Sequence, residues 1–498
     1  MSRQVARSAQ GLILAIDLGT TNVKVLLVDP ATGRVLRRAS VPVDVYRPQP
    51  LWVEQDGSQL WDAVVRASAE ALRDISASSV AGVAISNQRE AVAAWNDDGD
   101  LLGPILGWQD ARTADWCGAP ERGDLGELTV AVAGLPLDPM FSAPKLAWLL
   151  DSLPSSASPR IGTLDTWLVH RLTGEYVAEA GNASRTLLLD LASLDYSDEL
   201  LDAFAIPRGL LAPVVASDAG FGRTRPGLPI PAGVPVVAVL ADSHAALYRH
   251  GAGRPGEGKA TYGTGSSVMA PVAGGLPPAP TGSRGVARTV AWVTEHPVYA
   301  LEGNVVATGA AIDAVASLLT SGDVLELARL AEQASPDSGL AFVPAFTGLG
   351  APWFDRNAVP ILVGLGGGVS REQVALAAFE AVAHQVTDVV DAVDAVAPGS
   401  LSLIHADGGA TASRLLMQLQ ADLIGRPVQV SSAAEASALG AAQLAATTLD
   451  LDVAPPEEGR RVVPDESQSW TSPSRERWRT AVARSRGLAV NQNHQGES

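Results

Sequence analysis

One pattern occurs twice in this chain and narrows the folds open to it. An apolar, β-branched run enters a Gly-Thr turn and leaves as a second apolar run. The first copy is Ile13–Leu18, Gly19-Thr20-Thr21-Asn22, Val23–Val28; the second is Ala260–Tyr262, Gly263-Thr264-Gly265, Ser266–Met269. Each reads as a β-hairpin. The first carries one carboxylate, Asp17, at the end of its first strand. Gly19 lets backbone approach a ligand. Thr20, Thr21 and Asn22 add side-chain donors beside turn N–H groups, a cradle suited to phosphate oxygens. Lys24 supplies a positive charge, and Asp17 suits a hard cation such as Mg²⁺. An ordinary hairpin with a polar turn reads the same way. The repeat tips the balance: two such hairpins, each opening one half of the chain, suggest duplicated α/β domains facing one nucleotide.

The bulk properties agree. At 498 residues the chain exceeds a single core and calls for two large or three modest domains. Its net charge of −18 argues against a nucleic-acid partner. A nest of N–H groups with a metal still accommodates a nucleotide locally. The lone Cys117 allows no internal disulfide and fits a reducing cytoplasm. No run reaches the ~20 apolar residues of a membrane span, and no membrane association is expected. The Gly-rich stretch from His250 to Lys259 places a domain boundary between 252 and 253, giving halves 1–252 and 253–498. Gly251 to Gly258 reads as the hinge.

Along the first half, 41–52 reads as a Pro-rich loop, and helical spacing spans 59–75. A buried strand, 80–85, ends in Ser86-Asn87-Gln88-Arg89-Glu90. Arg89 and Glu90 form either a surface ion pair or a donor–acceptor pair that grips hydroxyl groups. Trp108 is either core or a flat wall for a carbon chain. Helices are expected over 145–151 and 165–172. The apolar strand 236–240 delivers Asp242 just past its C-terminal end, where open α/β sheets place ligands. Asp242 is the candidate general base, with a helix N-cap as the competing role. One side chain is not expected to do both. His244 reads as a plain helix residue.

In the second half, the small residues Gly309, Ala310 and Ala311 open a helix able to approach a ligand closely. A long helix spans 370–396. A strand over 401–405 runs into Asp407-Gly408-Gly409, a junction suited to phosphate or ribose. The small-residue helix start at 435–442 is expected to pack on that junction.

Together these residues resemble the FGGY carbohydrate kinases, and within them the glycerol-kinase branch, from Ile13 to about Arg484. Asp17-Leu18-Gly19-Thr20-Thr21 is similar to the first phosphate motif and Gly263-Thr264-Gly265 to the second. Asn87 to Glu90 is similar to the segment whose Arg and Glu bind substrate hydroxyls. Met140 to Trp148 fits a family signature, and Asn182-Ala183-Ser184-Arg185-Thr186 matches a further stretch. Asp407-Gly408-Gly409 and 435–442 resemble the adenosine motifs.

The resemblance implies two actin-like (ribonuclease H-like) α/β domains around a cleft. It implies an ATP- and Mg²⁺-dependent kinase acting on a terminal hydroxyl of a polyol or small sugar, with a homodimer possible. Asp242 falls on the catalytic base, and Arg89, Glu90, Trp108, Met140, Ser243 and Ser267 on the acceptor side. Thr20, Thr21, Asn22, Lys24, Thr264, Gly309, Asp313, Gly409 and Ser413 fall on the nucleotide side, and Asp17 on the metal. Actin and the seventy-kilodalton chaperones share the architecture, so an ATPase that moves a protein partner is the rival; Arg89, Glu90 and Asp242 favour the kinase.

Departures from the family pattern cluster at the acceptor. Met140 stands for a Tyr, Ser243 for a Gln and Ser267 for an aromatic. Asp313 and Ser413 are small polar swaps on the nucleotide side, and Pro360 interrupts a second signature. The three acceptor-side swaps enlarge the site, so a four- or five-carbon polyol or ketose such as xylulose is expected as the acceptor, with glycerol itself the alternative if neighbours refill the space.

Overall fold

In a computed structural model the chain is described over 11–492, except 155–157, 252–253, 255, 280–284, 336, 432–434, 458, 466 and 468. The expected boundary between 252 and 253, and Gly253 and Pro255 of the expected hinge, lie outside the described residues.

Two sheets organise the molecule. The first contains β1 (Leu12–Leu18), β2 (Asn22–Asp29), β3 (Arg34–Pro42), β4 (Val80–Asn87) and β5 (Val236–Ala241), in the order β5-β4-β1-β2-β3. The second contains β6 (Gly256–Tyr262), β7 (Ser266–Val272), β8 (Ala287–Val293), β9 (Pro297–Val305), β10 (Leu401–Asp407), β11 (Val428–Val430) and β12 (Arg460–Val462), in the order β8-β9-β7-β6-β10-β11-β12. The kernels β3-β2-β1-β4-β5 and β9-β7-β6-β10-β11 have the same sense throughout. In each, an antiparallel hairpin is followed by two parallel strands. The duplication expected from the two Gly-Thr turns is therefore present in topology.

The parallel strands of the first sheet are almost wholly buried, β5 at all six positions, as a sheet covered on both faces requires. The helices used below are α1 (Gly57–Ala71), α2 (Ser142–Ser152), α3 (Leu164–Thr173), α4 (Asp242–Gly251), α5 (Gly309–Leu319), α6 (Arg371–Val396), α7 (Arg414–Ile424) and α8 (Ala436–Thr448). Ser370 and Gln373 close a capping box on α6, and Gly174, at φ +91, ends α3 in a left-handed cap.

Three local expectations change. The edge strand β3 runs through 34–42, overlapping the start of the expected loop. Only Ala39 and Val41 of it are buried, so it lacks the apolar run that marks an inner strand. Helix α1 stops at Ala71, and the chain turns at Asp74, φ +62. Helix α2 starts at Ser142, three residues early, because Pro144 is tolerated in a first turn.

Helix α8 overturns a packing expectation. It lies on α4 and on the first sheet, not on the Asp407-Gly408-Gly409 junction. A Cβ at Gly440 would come within 1.8 Å of Ala245 O, so the two helices touch backbone to backbone. The second half of the sequence thus helps build the core of the first lobe.

Candidate active site

The first Gly-Thr turn is closed by Gly19 N–H donating to Asn22 O at 3.0 Å. Asp17 lies between Lys24 on β2 and Ser86 on β4, its register partners. Ser86 Oγ donates to Asp17 Oδ1 at 2.9 Å. Burial nonetheless pushes the Asp17 pKa up to about 6, and the nearby Asp242 adds to the effect. Thr20 is more engaged than the sequence suggests. Its hydroxyl donates to Gln88 Oε1 at 3.1 Å and accepts Trp108 Nε1–H at 3.1 Å, while Gln55 Nε2 donates to its carbonyl at 2.8 Å. The Thr20 side chain therefore braces the turn, and Thr21 is the exposed hydroxyl, bonded to Asn22 Nδ2 at 3.1 Å.

The second turn is braced by α5. Thr308 N–H and Gly309 N–H donate to Thr264 O and Gly263 O at 2.9 and 3.0 Å. A Cβ at Gly309 would sit 2.9 Å from Gly263 O, which explains the glycine. Asp313 lies one turn along the same helix. Gly408, at φ +95, presses against Tyr262 of β6, where a Cβ would come 2.4 Å from its carbonyl oxygen. Gly409 follows, and Ser413 caps α7 by accepting Leu416 N–H at 3.2 Å. The second phosphate motif and the Asp-Gly-Gly junction are therefore adjacent.

The residues expected on the acceptor side form a charged cluster around Arg89. Asp242 begins α4 directly after β5. Its Oδ1 accepts Ser243 N–H at 2.6 Å and lies 3.6 Å from Arg89 Nε. The N–H it accepts is that of the next residue and not of one two or three along, so the competing N-cap bond is not made, and its side chain is 40 % exposed. Desolvation raises its pKa, with Arg89 opposing.

Arg89 and Glu90 are not a surface pair; they are 8 % and 5 % exposed. Both Arg89 Nη groups fork onto Glu302 at 2.7 and 2.8 Å. Arg185 Nε donates to Glu90 Oε1 at 2.8 Å, and Arg185 Nη1 lies 2.9 Å from Glu302 Oε2. Burial would raise the Glu302 pKa, but Arg185 and Arg89 outweigh it and hold the group well below the usual carboxylate range. Glu90 adopts φ +60, which turns its side chain into this cluster.

The remaining acceptor-side residues divide. Trp108 is 37 % exposed and therefore a wall and not core. Its indole N–H also ties the acceptor side to the first phosphate turn. The Met140 backbone is fixed by Asp138 Oδ1 at 2.9 Å and by Lys145 Nζ, which donates to Met140 O at 2.7 Å and Gly107 O at 3.0 Å. Burial pushes the Lys145 pKa down to about 7. Ser243 follows Asp242. Ser267 Oγ donates to Glu302 Oε1 at 3.1 Å. Its cross-strand neighbourhood decides that, which the sequence does not display. His244 is fully buried in α4, with neither ring nitrogen hydrogen-bonded among the described residues.

Sequence reading missed Glu302, Lys145 and Lys259. Lys259 is 1 % exposed on β6, donates to Thr261 Oγ1 at 2.8 Å and places positive charge near Asp407 and Asp242. The available signal was a single charge after an apolar strand run, Val298-Tyr299-Ala300-Leu301-Glu302; Lys259, in Gly256-Glu257-Gly258-Lys259, carried none. Such a residue is buried only when paired.

For a cation, Asp17 and Asp242 are near enough to raise the pKa of Asp17. No cluster of three or more His, Cys, Asp or Glu suited to a metal occurs among the described residues. That fits Mg²⁺, which takes one or two carboxylates and completes its shell with water and phosphate oxygens.

Comparison with known proteins gives a consistent result. Residues 12–248 match the N-terminal domain, and 258–449 the C-terminal domain, of the FGGY family of carbohydrate kinases. An apulose kinase from Pectobacterium atrosepticum is 39 % identical over 95 % of this chain and 98 % of its own length. A glycerol kinase from Thermus brockianus is 39 % identical, again over 95 % and 98 %. Among solved structures, Plasmodium falciparum glycerol kinase with ADP superposes with a TM-score of 0.87 at 24 % identity, covering 96 % of this chain and 98 % of that one. Xylulose kinase from Rhodospirillum rubrum superposes at 0.86 with 25 % identity, covering 96 % and 100 %.

Proposed function

The chain belongs to the FGGY family of carbohydrate kinases, and from that premise we propose how its residues divide the work and which acceptor it takes. The chain is an ATP-dependent kinase of a polyol or sugar and uses Mg²⁺. The rival reading, an ATPase that moves a protein partner, is not favoured, since both halves match the carbohydrate kinases. We assign the first half, 1–252, to the acceptor and first phosphate turn, and 253–498 to the adenosine and second phosphate turn. A reducing cytoplasm fits the single cysteine.

One observation carries the assignment of the base. Asp242 stands at the end of a buried strand, close enough to Asp17 and Lys259 to feel their charges, with Arg89 Nε 3.6 Å away. In this reading Asp242 accepts the proton of the attacking hydroxyl. Arg89 and Glu90 orient the vicinal diol, and the exposed Thr21 and the second turn hold phosphate oxygens. Asp17 would hold Mg²⁺, which neutralises phosphate charge. Catalysis of this kind is positioning plus electrostatics. Asp242→Asn should keep ATP binding and lose kcat by about 10²–10⁴-fold; near-normal turnover would remove Asp242 from the role.

For the acceptor we propose a four- or five-carbon polyol or ketose. Met140 is adaptable in shape, Ser267 leaves the volume of an aromatic open, and Ser243 adds a short hydroxyl. The measurement is kcat/KM for glycerol against erythritol, threitol, xylitol, ribitol, xylulose and apulose. A longer acceptor should win. Glycerol ahead of all of them by tenfold, about 1.4 kcal/mol in transition-state binding, would show that the pocket is filled by neighbours instead.

A further inference from the structure

Arg89, Glu302, Arg185 and Glu90 form a closed ring of alternating charge, with no member more than 8 % exposed. Three sides are short, at 2.7, 2.9 and 2.8 Å, and the fourth, Arg89 Nε to Glu90 Oε1, is 3.9 Å. The open side is the one that faces Asp242, since the same Nε lies 3.6 Å from Asp242 Oδ1. Three members come from the first half of the chain. Glu302 comes from β9 of the second sheet. Resting on the functional reading above, we propose that Glu302 is a positioning residue: it anchors both Nη groups of Arg89, so that only the Nε edge is presented to the acceptor and to Asp242.

The geometry argues this in three steps. A guanidinium has five donors in a rigid fork. With Nη1 and Nη2 held in a bidentate pair, the plane of Arg89 has no freedom to rotate onto Asp242. Glu302 is itself held, by Arg185 Nη1 and by Ser267 Oγ. Finally, β9 runs beside the second phosphate turn and continues into α5. Val305 pairs with Ser266 beside that turn, and Thr308 and Gly309 bond to it directly. One strand thereby aligns the acceptor arginine and the phosphate turn with each other. Without the anchor, Arg89 would turn its Nη groups to its remaining partners, Glu90 and Asp242. A direct fork onto Asp242 would make that carboxylate a weaker base. The other charged groups bearing on Asp242 are Glu90, Lys259 and Asp17.

The experiment uses the full-length enzyme with its best acceptor, once wild-type turnover and its loss in Asp242→Asn are established. If wild type shows no kinase activity on any acceptor, the functional reading fails before this test begins. Glu302→Gln should lower kcat by tenfold or more and raise the acceptor KM, with the ATP KM unchanged. The acid limb of its kcat–pH profile should move to lower pH. Glu302→Asp keeps the charge balance of the ring and is the variant expected to fold if Gln does not. It retracts the carboxylate by one methylene and should lower kcat severalfold. A purely structural Glu302 would lower the melting temperature and leave kcat, KM and pH profile untouched in the folded enzyme. Wild-type kinetics in Glu302→Asp, or an unmoved pH profile in a folded Glu302→Gln, overturns the proposal.

Discussion

Strands β1 and β6 occupy the same place in their sheets, yet their polar residues are exchanged. In the first lobe the carboxylate, Asp17, is on the hairpin strand and the hydroxyl, Ser86, is on the parallel neighbour. In the second lobe the hydroxyl, Thr261, is on the hairpin strand and the carboxylate, Asp407, is on the neighbour. The pairs sit at equivalent register positions, and their carboxylate pKa values shift in opposite directions. Asp407 accepts His250 Nε2 at 2.8 Å and faces Lys259. Burial works against its ionisation, but those partners outweigh it and hold its pKa below the usual value. Asp17 has Ser86 and a more distant Lys24, and its pKa rises to about 6. The same scaffold thus carries one carboxylate held by charged protein partners and one whose pKa is raised by burial, the one proposed above to hold the cation. Charge balance, and not topology, separates the two.

The sharpest test exchanges the two losses. Asp407→Asn should lower stability by about 3–5 kcal/mol, as removing one partner of a buried pair does, read as a fall in denaturant midpoint at constant slope. Asp17→Asn should instead spare stability and lower Mg²⁺-dependent kcat by about 10²–10³-fold, the usual effect of losing one preorganised electrostatic group. If Asp17→Asn unfolds the protein, or Asp407→Asn only slows it, the contrast between the lobes is wrong.

A smaller effect sharpens the contrast through pH. Asp17 rises from 3.8 to about 6 on folding. The native state therefore binds its proton more tightly, and metal-free stability should fall as pH rises from about 4 to about 6. The expected loss is about 1–3 kcal/mol. Asp17→Asn should abolish it, and saturating Mg²⁺ with nucleotide should reverse it. Asp407 has the opposite sign: its contribution is present above its unfolded pKa and is lost as pH falls through the lowered folded value. Urea midpoints of wild type and both variants between pH 4 and 8 separate the two.

The smallest effect concerns the hydroxyls. Ser86→Ala and Thr261→Ala should each cost about 1 kcal/mol, the net worth of one hydrogen bond. Only Ser86→Ala should raise the Asp17 pKa further, seen as a shift of the pH window above. Equal windows in both variants would mean that Ser86 does not tune Asp17.

Much of the site was legible because its signals are local. A Gly-Thr turn between two apolar runs, an Asp immediately after a buried strand and a Gly that opens a helix each declare a backbone shape within a few residues. The protein partners of Thr20 were not legible, because Gln55, Gln88 and Trp108 lie 35, 68 and 88 residues away. Helix α8 was misplaced for the same reason: its small residues announce close contact without naming the partner.

From the amino-acid order alone came the two hairpins, the duplicated α/β halves, the acid after β5 and the Arg89–Glu90 pair, because each depends on periodicity or on neighbours along the chain. Tertiary structure alone decided what the charges do. Arg89 is 213 residues from Glu302, and Arg185 is 95 from Glu90. Whether a buried charge is a binding group, an anchor or a satisfied structural pair depends on which opposite charge lies within about 4 Å, and that distance is set by folding, not by sequence spacing.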